Sequence, residues 1–329
     1  MVPGVAMIDL VEMAGKLACP VCAGPLTVAP TALTCSACAT SYAVEGGIPT
    51  LLAPGQDAFR DSEAEAHGAL APHYDQTHQL ETARNRAAHA DFLAPLLALG
   101  RGARVLEVAC GTGHDGAQLV AAGLEFVGSD ITRAMLEKAQ ARLPADSRCF
   151  LAVADGEHLP FQPLSFDGVL IAAALHHFRD PRRVLAELAR VARPGAIVVV
   201  GMEPNQWMYR SLIPAWRALR ALLDRLRPGG PPRSPADEET KGLTGAEILA
   251  AMAEAGIAPV RLTPIWYATG FLHALLETGS KVLGLAPPLA VPHGLERVLL
   301  DLDLLLAKLP GLRRLNWNWN VVGRKRLPA

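Results

Sequence analysis

Between Arg104 and Gly201 the chain alternates short apolar runs with segments whose apolar positions recur every three or four residues. Arg104–Val108, Glu125–Ser129, Cys149–Val153, Phe166–Ile171 and Ala196–Gly201 predict strands. His114–Ala122, Arg133–Arg142 and Arg182–Ala192 predict helices between them. Apolar strands joined by amphipathic helices belong to a parallel sheet covered on both faces, so the expected fold class is α/β and doubly wound. A helical pattern from Tyr74 to Leu99 leads into this core. After Gly201 the rhythm breaks. Gln206–Arg227 reads as a helix with Leu212, Trp216, Leu219, Leu223 and Leu226 on one side, and a Pro/Gly stretch follows it. The helix Gly245–Ala255, a strand near Pro259–Thr263, an apolar helical stretch over 270–309 and a strand Trp317–Gly323 complete the pattern.

Half of the 329 residues are hydrophobic, enough for a full-sized core, and aromatics at 5% beside abundant Ala and Leu favour helices over an all-β build. A net charge of −1 argues against a surface made to grip an extended phosphate backbone. Met1–Leu17 lacks the basic start and apolar run of a secretory leader. No apolar stretch reaches the ~18 residues of a spanning helix; Leu262–Leu276 and Val282–Leu295 come nearest. The expectation is a soluble, cytoplasmic chain. It divides into a Cys-, Gly- and Pro-rich unit over 8–55, a linker over 56–73 and a main domain over 74–329, with additional helical segments at 205–241 and 266–315.

Four of the six cysteines form two knuckles, Cys19-Pro20-Val21-Cys22 and Cys35-Ser36-Ala37-Cys38, twelve residues apart. Without an export signal such pairs are more often metal ligands than disulfides, and two knuckles complete a tetrahedral four-cysteine shell suited to zinc. A closed shell keeps no open position, so this zinc would be structural. The flanking Leu17-Ala18-Cys19-Pro20, Gly24-Pro25-Leu26, Tyr42-Ala43-Val44 and Gly47-Ile48-Pro49 resemble one zinc-ribbon family over residues 15–53. Its best-known member is the small activator subunit of eukaryotic tRNA, rRNA and release-factor methyltransferases. That resemblance implies a stabilising role, or a protein partner docked through the ribbon, and names no substrate.

Val105-Leu106-Glu107-Val108-Ala109-Cys110-Gly111-Thr112-Gly113-His114-Asp115-Gly116 reads as strand, Gly-rich turn and helix start. Glycines here let the backbone approach a ligand, and the helix N-terminus favours an anion. Asp130, ending the next strand, is placed to accept hydrogen bonds from ribose hydroxyls. These features alone also fit a nicotinamide-dependent oxidoreductase. Three others weigh against it: Glu107 four residues before Gly111, Ala154-Asp155-Gly156-Glu157 after the third strand, and the later series Phe166-Asp167-Gly168-Val169, His176-His177-Phe178 and Arg193-Pro194-Gly195. The ordered set resembles the class I S-adenosylmethionine-dependent methyltransferases, especially the ubiquinone and menaquinone biosynthesis group, over residues 74–204. The resemblance implies a Rossmann-like seven-stranded sheet, Glu107 near the methionine amino group, and Gly111 and Gly113 beneath the methionine. It further implies Asp130 on the ribose, Ile131 against the adenine, and Asp155 with Gly156 at the adenine edge.

Methyl transfer from a sulfonium is an in-line displacement, helped by a base when the acceptor is a hydroxyl or an acidic C–H. His176 and His177 follow the fourth strand at the sheet edge where ligands bind, and are the candidate catalytic residues; packing beneath the cofactor is the alternative. Tyr74 and His78 are secondary candidates, while Cys110, Cys149, Asp167 and Pro194 read as structural. The two helical insertions suggest a lid rich in Leu, with Trp216, Trp266 and Phe271, over an apolar small-molecule acceptor such as a polyketide, quinone, isoprenoid or lipid. A dimer interface, or a membrane-surface contact through Arg217, Arg220, Arg225 and Arg227, are alternatives for the same stretches. RNA is the rival substrate, supported by the Arg324-Lys325-Arg326 tail and opposed by a ribbon whose only basic side chain over 15–55 is Lys16. A cofactor-binding scaffold without activity is the non-enzymatic reading.

Overall fold

The computed structural model describes residues 8, 10–55, 57–208, 210, 211, 225, 242–283, 285, 289–312 and 314–327. Four short strands come first: β1 (Leu26–Ala29), β2 (Ala32–Cys35), β3 (Ser41–Glu45) and β4 (Ile48–Leu51). The longer strands are β5 (Arg104–Val108), β6 (Glu125–Asp130), β7 (Cys149–Ala154), β8 (Phe166–Ala172), β9 (Ala192–Pro204), β10 (Ile257–Ile265) and β11 (Asn318–Lys325). Helices are α1 (Leu10–Ala14), α2 (Ala58–Leu70), α3 (Tyr74–Thr77), α4 (Ala83–Leu97), α5 (His114–Ala121), α6 (Arg133–Arg142), α7 (Pro181–Val191), α8 (Gly245–Glu254), α9 (Ala268–Leu283) and α10 (His293–Leu306).

All eleven strands join one sheet, in the order β1-β2-β3-β4-β7-β6-β5-β8-β9-β11-β10. Strands β5 to β9 run parallel, β11 pairs antiparallel with both β9 and β10, and the seven from β7 to β10 form a seven-stranded α/β sheet. The alternation of β5 sorts its side chains to opposite faces: Leu106 and Val108 join the core under α7 and α8, while Val105 joins the one under α4, α5 and α6. Each such buried aliphatic side chain contributes about 1.5–3 kcal/mol. Gly201 in β9 is required by this packing, since a Cβ there would lie 2.8 Å from the Phe92 ring of α4.

The cysteine unit is built into the same sheet. β4 pairs parallel with β7 through Thr50↔Val153 and Leu51↔Ala154. Arg133 of α6 donates to the Thr50 hydroxyl (2.7 Å) and the Ile48 carbonyl (3.2 Å), and Leu17 bridges to Phe161. The cysteine unit thus packs partly on the chain's own core. Where the composition of 56–73 predicts a linker, the backbone forms α2. Asp57 caps it by accepting from the Phe59 and Arg60 amides, both at 3.1 Å, which satisfies two of the first-turn donors. α2 buries Ala66 and Glu63 and lies against α6.

The C-terminal helices, for which the sequence leaves a lid, a dimer interface and a membrane contact open, keep apolar side chains exposed where carboxylates are buried. The single helical stretch over 270–309 is two helices, α9 and α10. In α10, Leu295 (47% exposed), Val298 (63%) and Leu302 (41%) face outward while Glu296 (2%) and Asp303 (6%) are buried. Helix electrostatics explains the inversion. Glu296 accepts from the Ala83 (2.9 Å) and Arg84 (3.2 Å) amides at the start of α4 and from His273 Nε2 (3.0 Å). Asp303 accepts from the Ala268 amide (2.6 Å) at the start of α9. Each carboxylate takes up otherwise orphaned N–H donors at the positive end of a helix dipole. Trp266 is buried, with Arg84 stacked 4.5 Å above its ring, whereas Phe271 is exposed. Most of the 205–241 insertion, Trp216 and the arginines at 217, 220 and 227 included, lies outside the described residues. Among the described residues no helix is long and apolar enough to cross a membrane.

Candidate active site

The C-terminal ends of β5 to β9 open onto a cavity of about 490 Å³, roofed by residues of α2 and α3. In open α/β sheets this edge is where ligands bind. Backbone strain gathers there. Ala109, Ala173, Met202 and Trp266 all have positive φ (55°, 50°, 51° and 60°), and all four line the cavity. Non-glycine residues hold such torsions only where surrounding structure enforces them, and they concentrate at functional sites.

One side of the cavity is built by the turn after β5 and the end of β6. Gly111 adopts φ 52° and lies on the cavity wall with Asp130 and Ile131. Asp130 is buried and accepts from the Gly111 amide (2.9 Å) and the Thr132 amide (2.8 Å). Burial pushes its carboxyl above the usual range against those two bonds. Asp155 accepts from the Glu157 amide at 2.9 Å, and Gly156 sits so close under Phe178 that a Cβ would meet its ring at 2.6 Å; both line the cavity.

Two residues of the expected set do not line it. Gly113 caps α5 and faces α6, where a Cβ would stand 2.9 Å from that of Ala139. Glu107 is buried beneath the turn, and its Oε2 has no hydrogen-bond partner among the described residues. Burial, with the nearby Asp115 and Asp130, pushes the Glu107 carboxyl well above the ordinary carboxylate range. An orphaned buried acid here fits a missing cationic partner.

The same cavity is lined by histidines. His176 Nδ1 is 3.4 Å from Glu203 Oε2 and 3.3 Å from its Oε1, and Glu203 is fully buried at the end of β9. His177 Nδ1 is 3.0 Å from Glu63 Oε2, and the two imidazole rings lie 4.2 Å apart. Tyr74 stacks on His78 at 4.1 Å, and both reach the cavity. Sequence reasoning missed Glu203 and Glu63. The signals were an acid closing the apolar run before Pro204, and Glu63 one helical turn before His67 in the stretch read as a linker. Cys110 and Cys149 are buried thiols raised in pKa by burial, and Asp167 accepts from the Arg104 amide (2.9 Å) and pairs with Arg193.

Away from the cavity, the Sγ atoms of Cys19, Cys22, Cys35 and Cys38 lie within 4.8 Å of one another, with Cys19–Cys38 at 3.6 Å and Cys22–Cys35 at 3.5 Å. A tetrahedral shell with metal–sulfur bonds of about 2.3 Å has edges of about 3.8 Å, so the four thiols fit one. Gly24 makes room for them, since a Cβ would meet that of Ala37 at 2.8 Å and Cys35 Sγ at 3.0 Å.

Residues 106–200 match the methyltransferase domain family. The chain is 38% identical over 131 residues to the demethylmenaquinone methyltransferase of Clavibacter sepedonicus, covering 39% of this chain and 52% of that one. It is 33% identical over 177 residues to the corresponding protein of Renibacterium salmoninarum, covering 51% of this chain and 72% of the relative. The chain thus spans between half and three quarters of these two relatives. A similar fold occurs in the complex between the Haloferax volcanii Trm112 methyltransferase activator and a methyltransferase: TM-score 0.52, 18% identity, 80% of this chain and 99% of that one. These matches favour methyl transfer over hydride transfer for the Gly-rich turn.

Proposed function

Since this chain belongs to the class I S-adenosylmethionine-dependent methyltransferases, we propose that its cavity holds that cofactor beside an apolar, hydroxyl-bearing acceptor of the hydroquinone type. The observation that carries the acceptor side is His176, which lines the cavity with Asp130 and Gly111 and is held from behind by buried Glu203. Val108, Ala172, Met202 and Trp266 give that space apolar walls that exclude water. Two of the relatives named above act, by name, on demethylmenaquinone, which supports a quinone-type ring.

When bound, S-adenosylmethionine supplies an electrophilic methyl group. On this reading Asp130 binds the ribose hydroxyls, Ile131 packs on the adenine, and Asp155 with Gly156 meets its edge. Gly111 and Gly113 shape the turn under the methionine, and Glu107 answers its ammonium. His176 takes the proton of the acceptor hydroxyl, which raises electron density at that oxygen and at the ring carbon beside it. Buried Glu203 holds the imidazole through Nδ1 and stabilises its charged form. His177 contributes to the acceptor end through Glu63. Cys19, Cys22, Cys35 and Cys38 are assigned a structural zinc ion, supported by their spacing and closed geometry.

The acceptor class is tested by incubating the protein with S-adenosylmethionine and reduced naphthoquinones, with and without an isoprenoid chain, and following methyl gain by mass spectrometry. A methylated product is expected with at least one of them. None with any reduced quinone would discard this acceptor class.

Glu107 yields a pH dependence. Burial raises its pKa, and a bound ammonium favours the carboxylate, so binding at a pH below the raised pKa releases a proton. Affinity for S-adenosylhomocysteine should therefore rise with pH up to the raised pKa and level off above it. Calorimetry in buffers of differing ionisation enthalpy should show the released proton in the wild type and lose it in Glu107→Gln. Identical heats in every buffer would contradict the assignment.

A further inference from the structure

We propose that Glu63, His67 and His177 form a binding site for a divalent transition-metal cation on the cavity wall under α2, separate from the cysteine shell. Glu63 and His67 are one turn apart on α2 and so share a helix face. His177 comes to them from the opposite wall, just after β8. Glu63 Oε2 lies 3.0 Å from His177 Nδ1 and 3.8 Å from His67 Nδ1, and the two imidazoles meet edge to face at 4.9 Å between centroids. One ligating atom from each of the three residues lies within 4.8 Å of the others. Metal–nitrogen and metal–oxygen bonds of about 2.0–2.2 Å set neighbouring ligand atoms about 3–4 Å apart, so the Glu63–His177 separation suits a shared ion; His67 Nδ1 donates to the Glu63 carbonyl at 3.0 Å, which leaves Nε2 as its ligating nitrogen.

Two imidazoles and a carboxylate occupy one side of a coordination sphere and leave the other open. All three residues line the cavity, so the open positions face its interior. Glu63 is buried, and a buried carboxylate between two imidazoles is a donor set of the right charge for a dication. A carboxylate serving only to orient His177 would need one imidazole within reach; this one has two. The use of the site rests on the proposed function, since an oxygen of the acceptor would fill an open position. The binding of the cation does not.

The test uses the full chain carrying one equivalent of zinc, titrated with Mn2+ and followed by electron paramagnetic resonance. Mn2+ prefers oxygen and nitrogen ligands and leaves the thiolates to zinc. One Mn2+ per chain is expected, with affinity falling more than about tenfold in Glu63→Gln and in His67→Asn. His176→Ala, which removes a neighbouring ring outside the triad, should retain it. Thermal melts by circular dichroism confirm that each variant is folded. A wild type that takes up neither Mn2+ nor Co2+ beyond the zinc equivalent overturns the site, as does a site unchanged by both triad substitutions. Inactivity toward quinols counts against the acceptor class alone, because cation binding is read without turnover.

Discussion

Asp130→Ala is expected to weaken S-adenosylhomocysteine binding by roughly 10- to 1,000-fold in a calorimetric titration. The carboxylate has two tasks that fail together. It accepts from the Gly111 and Thr132 amides at 2.9 and 2.8 Å, and those bonds hold the turn after β5 against the end of β6. Removing it leaves two buried donors without an acceptor, at about 1–3 kcal/mol each. It also removes the acceptor proposed for the ribose hydroxyls, and each ~1.4 kcal/mol is tenfold in affinity. Asp130→Asn keeps one acceptor oxygen and should fall between. The measurement is paired with NADH, which should bind neither protein. Undiminished binding by a folded Asp130→Ala would move the ribose elsewhere in the cavity.

The second large effect is expected on turnover. His176→Ala should lower kcat by about 10²- to 10⁴-fold, the usual contribution of a positioned base. S-adenosylhomocysteine affinity should be nearly unchanged, because His176 faces the acceptor side. Glu203→Gln should cost less, since the imidazole stays in place while its charged form loses the anion at 3.3 Å. Its signature is a displaced acid limb in the pH–rate profile, which a purely structural role would not move. Added imidazole should restore part of the rate to His176→Ala and none to Glu203→Gln. Equal rates in wild type and His176→Ala would leave cofactor placement as the source of catalysis and remove the base.

The contrast between what the chain's pattern discloses and what it hides follows from where each interaction originates. β5 to β9 are legible because burial on both faces makes nearly every position apolar, as in Cys149–Ala154. Gly111, Asp130, Asp155 and His176 are legible because each sits at the end of one of those strands or shortly after it, so local spacing reports their place at the sheet edge. α2 was hidden: its residues are mostly Ala, acid and Gly, and its order comes from the Asp57 cap and from Glu63 reaching His177, more than a hundred residues away. α10 misled more. Its leucines follow helical spacing, yet the helix is oriented by Glu296 and Asp303 meeting the amides of α4 and α9, a long-range electrostatic match that no local period records. Glu203 is a single acid at a strand end and becomes informative only when β8 brings His176 beside it.

The register of β4 on β7 also sets a timetable for synthesis. Thr50 leaves the ribosome about a hundred residues before its partner Val153, so at 5–20 residues per second the hairpin waits roughly 5–20 s for the strand it will join. Through that interval β4 presents an open edge to any other nascent chain. Pro49 lies within it and has no amide hydrogen to offer, which blunts that edge while Thr50 and Leu51 remain for the parallel pairing.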